Sequence, residues 1–449
     1  MKKTLLALVL ATIGTSAFAY VNLVSSGDGR SYLRGGLSAE LSQRLTGSSY
    51  INLNNTNATE RDNYHQQRYR FRATLDARAA ITPAFYIGFF IRATHSFNPS
   101  TIVTTNKNYS ANYLSASNRN NGNILRAYGV GFNDSRKLNY CYKSENGNQK
   151  CKTHSEYRPG FDRIQFWVNS YQYGKVTFAF KAQGSSNQNI GAADNNDFST
   201  STNFLDTPYS ALSDVYLTGY DFSVRYDLTT DPRKPYKLAV STARKKTDTY
   251  SYDSQWKYKY DNDYQVSASY EFSRNNKITL NAARKSSALT RGLKANSDRT
   301  SVKTTGYGIY ADVRMPGRDN LRIRAEISTF TQNHRSWNYK NKELSYGIDL
   351  IHYDLFTRGF AVYGGYIYKS QTKDYYDNSR VLDAHTKQRV TYLGTQYNIL
   401  DTYHGDKLTV KVYLEGSLDE IKYVNAPRNF GYNGKVYRKN ASTGVAIYY

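Results

Sequence analysis

Long apolar runs are missing from this chain of 449 residues. Beyond its first twenty positions no stretch approaches the ~20 consecutive apolar residues that a membrane-spanning helix needs, which excludes a helical membrane bundle. Proline is scarce at 8 and cysteine scarcer at 2. The cysteine pair lacks the ligand count and spacing of a metal site. The seven histidines (His65, His95, His154, His334, His352, His385 and His404) form no HExxH and no metal-spaced cluster, and the chain has no GxSxG. His95 and Ser96 adjoin, but neighbours on a strand point to opposite faces, so they make no dyad. No fixed repeat of the kind that marks a solenoid is present, and no Pro/Ser-rich linker divides the chain. These absences lead us to expect no enzyme, no metal and no cofactor.

Acidic residues are also in the minority, 36 against 60 Lys and Arg, giving a formal charge of +24. Such basicity suits nucleic acid as well as anionic solutes, and it sets non-specific attraction rather than fold. The N-terminus argues against nucleic acid. Lys2 and Lys3 precede an apolar run from Leu5 to Ile13 and small residues ending Ala17-Phe18-Ala19. This reads as a secretory signal at 1–19, cleaved near Ala19, with residues 20–449 as the mature chain. Mean hydropathy is low at −0.70, yet aromatics make up 15% of the chain, including 44 tyrosines. Disordered chains are poor in aromatics. An exported β-barrel with lipid outside and water inside reconciles the two values, because only alternate residues then need be apolar.

Alternation of period two supports this reading. In SYLRGGLSAELSQRL, Leu33, Leu37, Ala39, Leu41 and Leu45 share one face, while Arg34, Ser38, Glu40 and Arg44 share the other. In RYRFRATLDARA, Tyr69, Phe71, Ala73 and Leu75 alternate with Arg68, Arg70, Arg72 and Asp76. Comparable runs lie near 85–97, 161–170, 175–183, 215–228, 236–246, 262–272 and 277–286. Others lie near 302–314, 320–330, 343–355, 360–370, 388–399, 407–418 and 436–449. The pattern predicts an all-β, transmembrane, antiparallel up-and-down barrel of sixteen strands. Eighteen is the alternative if NILRAYGVGF, within 98–160, adds a hairpin. Connectors alternate in length. Short ones fall at 79–85, 171–174, 229–235, 273–277, 316–320, 356–359 and 401–406; long polar ones span 46–66, 98–160, 184–214, 247–261, 287–301, 331–342, 371–387 and 419–435. Short turns are periplasmic and long loops external in outer-membrane barrels. Aromatics near the short turns, among them Phe85, Tyr86, Tyr171, Tyr173, Tyr226, Tyr236, Tyr270, Phe272, Phe356 and Phe360, predict an interfacial girdle.

Residues two apart share a strand face, so Arg68, Arg70 and Arg72 form a row. Arginine on the lipid side costs about 2–4 kcal/mol near the bilayer midplane, and apolar neighbours already occupy that face, so the row faces the lumen. By the same alternation Arg34, Arg92, Arg225, Arg322 and Arg324 are luminal. Rows of Arg in a pore favour anions. The alternative is that these arginines keep the lumen wet and pair with inward acids such as Glu40 and Asp76. Tyrosines divide between girdle and loop positions, with a luminal track for sugar rings as a further reading. Cys141 and Cys151, in YCYKSENGNQKCK, form either a loop-closing disulfide or two thiols, and an exported compartment favours the disulfide.

RIQFWVNSYQYGKVTFAFKAQG (163–184) resembles the segment of trimeric general diffusion porins where a strand ends in a tight aromatic-Gly turn and the next rises into the third loop. The signal, the strand rhythm and the terminal aromatic strand extend the resemblance over the mature chain. It implies a homotrimer in the outer membrane of a Gram-negative bacterium, among lipid and lipopolysaccharide. It also implies a third loop, here near 184–214 with Asp194, Asp197, Asp206 and Asp214, that folds inward and narrows the pore opposite wall arginines. The loop lacks the Pro-Glu-Phe-Gly-Gly-like sequence many relatives carry, and the chain ends in Tyr449 rather than Phe. The expected function is passive diffusion of small hydrophilic solutes with an anion preference. Rivals are a channel selective for acidic sugars or other anionic nutrients, and an adhesin or receptor using 98–160.

Overall fold

The computed structural model describes residues 21–52, 59–104, 138–143, 149–182, 220–230, 234–244, 248–249, 256–260, 263–273, 276–291, 299–315, 318–334, 339–377, 380–400, 409–424 and 434–448. The strands are β1 (Val21–Ser25), β2 (Tyr32–Asn52), β3 (Thr59–Thr82), β4 (Phe85–Thr104), β5 (Leu138–Lys143), β6 (Gln149–Ser170) and β7 (Gly174–Ala182). Next come β8 (Tyr220–Asp227), β9 (Tyr236–Arg244), β10 (Asp248–Thr249), β11 (Trp256–Tyr260), β12 (Asp263–Ser273), β13 (Asn276–Arg291) and β14 (Arg299–Met315). The last are β15 (Arg318–His334), β16 (Tyr339–Tyr353), β17 (Phe360–Asp377), β18 (Arg380–Leu400), β19 (Thr409–Val424) and β20 (Gly434–Tyr448).

Sixteen of them form a closed antiparallel ring. From β2 the order runs through β3, β4 and β6 to β9, then from β12 to β20. β20 pairs back onto β2, from Ser38↔Tyr448 to Asn52↔Gly434. All sixteen alternating runs of the sequence are strands of this ring, so the count is sixteen and not eighteen. NILRAYGVGF lies outside the described residues.

The other four strands lie outside the ring. β1 takes the edge of β2 beyond the end of β20, from Val21↔Gly35 to Ser25↔Tyr32. Its turn is held from the wall: Arg78 donates from Nε to the Arg30 carbonyl (2.8 Å) and from Nη2 to the Gly29 carbonyl (3.0 Å). The Ala80 N–H donates to Ser31 Oγ at 2.9 Å. Within the turn, hydrogen bonds from the Ser26 hydroxyl and the Arg30 N–H hold the Asp28 carboxyl below its usual range. β5 pairs with the far end of β6, which also pairs with β4, and β10 and β11 extend the sheet beside β13.

Several of the long connectors are shorter than the sequence suggests. β17 runs to Asp377 and β18 starts at Arg380, with Asp377↔Arg380 in register, where the expected loop spanned 371–387. Likewise only 53–58 separate β2 from β3. Above the membrane both faces of a strand are wet, so apolar alternation stops while the hydrogen-bond ladder continues. The short turn at 171–174 behaves as read. In YQYG the Ser170 hydroxyl accepts from the N–H groups of Gln172 and Tyr173, and Gly174 takes φ +88°, a conformation that suits glycine.

Inward aromatics sit directly across from glycines, among them Trp167 from Gly88, Tyr392 from Gly365, Tyr363 from Gly394 and Tyr413 from Gly444. Each ring folds over its glycine, where an added Cβ would strike it. The rings therefore lie along the wall and leave the lumen clear. Gly394→Ala should lower stability by about 1–3 kcal/mol through the clash with Tyr363. Gly416→Ala is the control, because its nearest neighbour lies 3.7 Å away, and it should stay within about 0.5 kcal/mol of the parent. Urea unfolding of the two purified barrels, followed by gel mobility, measures the difference.

Candidate pore lining

Alternation around the ring inverts the usual distribution of polarity. Large apolar side chains face out, as with Phe71 (49% exposed), Leu280 (52%), Ile309 (49%), Leu393 (64%) and Leu414 (60%). Their strand neighbours on the inner face are polar and buried, including Thr279, Gln265, Asp312, Glu326, Ser345 and Asp349. β16 shows the rule without interruption from Asn341 to Ile351, with every odd residue buried and every even one exposed. A water-soluble sheet buries its apolar face. This ring buries its polar one.

Tyr86 departs from the girdle expected of it. It lies on the inward register of β4, is 6% exposed, and donates its hydroxyl to the Pro83 carbonyl at 2.7 Å. Phe85, Tyr171, Tyr173, Tyr226, Tyr236, Tyr270, Phe272 and Phe356 are exposed as expected. Inward tyrosines do occur, but Tyr310, Tyr363, Tyr392 and Tyr413 are at most 4% exposed. They cluster with Ile351, Ile367 and Val390 or cover glycines, and they offer no stacking track for sugar rings.

Ion pairs knit much of the inner wall. Arg70 meets Glu40, Arg324 meets Asp349 and Arg438 meets Asp419, each directly across neighbouring strands. Arg322 binds Asp312 through two nitrogens (2.7 and 2.5 Å), and Lys369 lies 3.2 Å from Glu343. Arg225 reaches Asp227 on its own strand at 2.9 Å. Tyr363 donates to Glu415 at 3.0 Å, and Gln388 donates to Asp419. The pairing alternative raised by the sequence therefore holds for Arg70, Arg225, Arg322 and Arg324.

The two sides of the ring differ in charge. On β14 to β20 the described inward side chains include Arg314, Arg322, Arg324, Lys369, Lys411 and Arg438, matched by Asp312, Glu326, Glu343, Asp349, Glu415 and Asp419. On β2, β3, β4 and β6 the described inward side chains include Arg34, Arg70, Arg72, Arg78, Arg92 and Arg163, with Glu40 and Asp76 as the described acids. Arg92 is directly across from Arg163, while Arg72 stands across from Ser38 and Thr94, one pleat from Arg92. Arg34 is occupied differently. Its guanidinium stacks 4.0 Å over Tyr32, whose hydroxyl donates to Asp76 at 3.2 Å. Arg78 covers both Tyr32 and Tyr86.

Structure therefore brings Arg34, Arg70, Arg72 and Arg92 together on one inner arc. It adds Arg78 and Arg163, which the same alternation in the sequence would have located. Arg68 lies on β3 across from Ser42, with its side chain outside those described. Asp194, Asp197, Asp206 and Asp214, with the third loop, lie outside the described residues. Cys141 and Cys151 are register partners across β5 and β6, and their side chains lie outside those described.

No family model matches the chain, and no curated protein matches it. Among solved structures, an in-vitro folded OmpT, an outer membrane protein of Vibrio cholerae, is similar at 10% identity and TM-score 0.48, over 95% of this chain and 99% of that one. An anion-selective porin from Comamonas acidovorans is similar at 11% identity and TM-score 0.46, over 92% and 100%. OccK7 of Pseudomonas aeruginosa follows at 9% identity and TM-score 0.40, over 92% and 99%. At such identities and scores these likenesses carry no argument about function, and the fold rests on the strand register itself.

Removing one member of a buried ion pair costs far more than removing both, because the remaining charge is left uncompensated. Arg324→Leu, which strands the fully buried Asp349, should therefore destabilise the barrel by about 3–5 kcal/mol. The double variant Arg324→Leu/Asp349→Leu should recover most of that loss. Chemical denaturation of the three proteins measures it, and equal losses in the single and double variants would refute the pairing.

Proposed function

We propose that the chain is an outer-membrane porin: a water-filled channel for passive diffusion of small hydrophilic solutes, with a preference for anions. One observation carries this reading, the closed ring of sixteen strands with apolar side chains outside and polar ones within. Hydrocarbon cannot satisfy backbone N–H and C=O groups, so a spanning sheet must close on itself. Barrels of 16 to 18 strands leave an aqueous channel. The N-terminal signal and the asymmetry of turns and loops support export to a Gram-negative outer membrane, with cleavage near Ala19. The general-porin resemblance supports a homotrimer.

The anion preference rests on the unequal walls. Among the described inward side chains, carboxylates match the cations on β14 to β20, whereas the arc of β2 to β6 carries six arginines and two acids. Guanidinium stays charged at every working pH and accepts carboxylate or phosphate in a planar fork. Fixed charge of one sign in a pore lowers the barrier for ions of the other. Transport follows the concentration gradient, with no chemistry and no cofactor.

The test is the zero-current potential of the purified protein in a planar bilayer under a salt gradient. Anion selectivity is expected, falling or reversing in Arg72→Glu/Arg92→Glu. Both lie on the arginine arc, with Arg92 directly across from Arg163. A folded barrel without conductance would overturn the channel reading. Cation selectivity unmoved by the two substitutions would overturn the anion preference, and a current blocked saturably by one acidic sugar would favour the selective channel.

A further inference from the structure

The outer wall carries a second basic array that pore conduction does not use. On β18, β19 and β20, Lys387 stands directly across from Lys422, and Lys422 directly across from Lys435. All three lie on the outward register: Lys387 and Lys422 are exposed and Lys435 half-exposed, whereas Gln388 and Arg438 on the inner register both bond Asp419. Strand spacing of ~4.8 Å makes the row about 10 Å long. Arg389 and Lys439 flank it. One carboxylate stands among these five cations, Glu420, whose Oε1 lies 3.9 Å from the Lys435 Nζ. Like charges directly across a pair of strands are unfavourable, and this row places two such pairs side by side.

Depth gives the row its meaning. On β18 the outward residues from Arg389 to Ile399 rise about 33 Å along the strand, or about 23 Å along the normal at ~45° tilt. That matches the ~25 Å apolar band of outer-membrane barrels. The aromatics agree. Tyr346 and Tyr368 stack at 4.9 Å directly across from each other, and Tyr368, Arg389, Glu420 and Tyr437 continue that line across the strands. Girdle aromatics mark the interface, and the three lysines stand two residues nearer the long-loop rim, at the level of lipid headgroups.

We propose that Lys387, Lys422 and Lys435 form a binding site for a phosphorylated lipid headgroup of the outer leaflet. The inference rests on the outer-membrane reading. A headgroup with two phosphates about 10 Å apart spans the row, neutralises its like charges and sets its acyl chains against Leu393, Leu414 and Leu418, all exposed below. A free phosphate ion shares the charge but has nothing to lay on that apolar face.

The test titrates the full-length barrel in detergent with bis-phosphorylated lipid A, and with the same lipid stripped of phosphate, by native mass spectrometry. Each lysine near an anionic surface contributes about fivefold, so K387Q/K422Q/K435Q should bind bis-phosphorylated lipid A on the order of a hundredfold more weakly. K387R/K422R/K435R should retain it, which separates lost charge from lost fold. Equal binding by the Gln variant, or equal binding of the phosphate-free lipid, would overturn the site. Displacement of the lipid by millimolar pyrophosphate would reassign the row to soluble anions and overturn the lipid assignment. Conductance of the Gln variant should be unchanged, so a barrel that binds lipid without conducting would count against the channel alone.

Discussion

Closure of the backbone ladder is the constraint on which the rest depends. In hydrocarbon each unpaired N–H or C=O costs several kcal/mol, so one open edge would outweigh most side-chain contributions to stability. β20 meets β2 over fifteen register pairs and stops at Ser38↔Tyr448, leaving the edge of β2 from Tyr32 to Gly35 uncovered by the ring. β1 takes that edge, and Arg78, from the wall, fastens its turn. The short first strand thus pairs Tyr32 to Gly35 of β2, which β20 does not reach.

Closure also explains why buried charge is tolerable. A polar interior in contact with water does not pay the desolvation of a dry core, yet many inner side chains here lie flat and covered. Their cross-strand pairs satisfy them: Arg324 with Asp349 and Arg438 with Asp419 are both nearly fully buried. Strand register sets these pairs, since a one-residue slip would send every such charge to the lipid side. The ion pairs and the apolar outer band therefore specify the same register from opposite faces.

Sixteen strands and their faces were legible in the sequence because two solvents on two sides impose strict alternation within the membrane. Where water wets both faces the signal vanishes, and strands such as β17 and β18 run on to Asp377 and Arg380 within what reads as loop. Cross-strand partners were less accessible. Alternation puts Glu40 and Arg70 on the inner face without saying which arginine meets which acid, and nothing near Gly394 announces Tyr363. Those contacts follow from register, which depends on where each turn falls. Tyr86 was misassigned for a related reason. Beside a short turn, an aromatic and its neighbour read alike, and strand parity alone decides that Phe85 faces out and Tyr86 in.

Consecutive residues of one strand therefore serve different solvents. On β20 Arg438 holds Asp419 inside the wall while Lys439 points to the membrane side; on β18 Gln388 and Lys387 divide in the same way. Between the two faces lies a single layer of backbone whose hydrogen bonds run within the sheet and not across it. A charge exchanged on one face leaves the pairings of the other intact, provided register is preserved. Charge on the inner face and charge on the outer face are then independent variables of one sequence. Part of the excess of Lys and Arg, 60 against 36 acids, lies in an arginine arc inside and a lysine row outside. The residue types suit the places: planar guanidinium lies along a crowded inner wall, and flexible ammonium reaches from an open outer one.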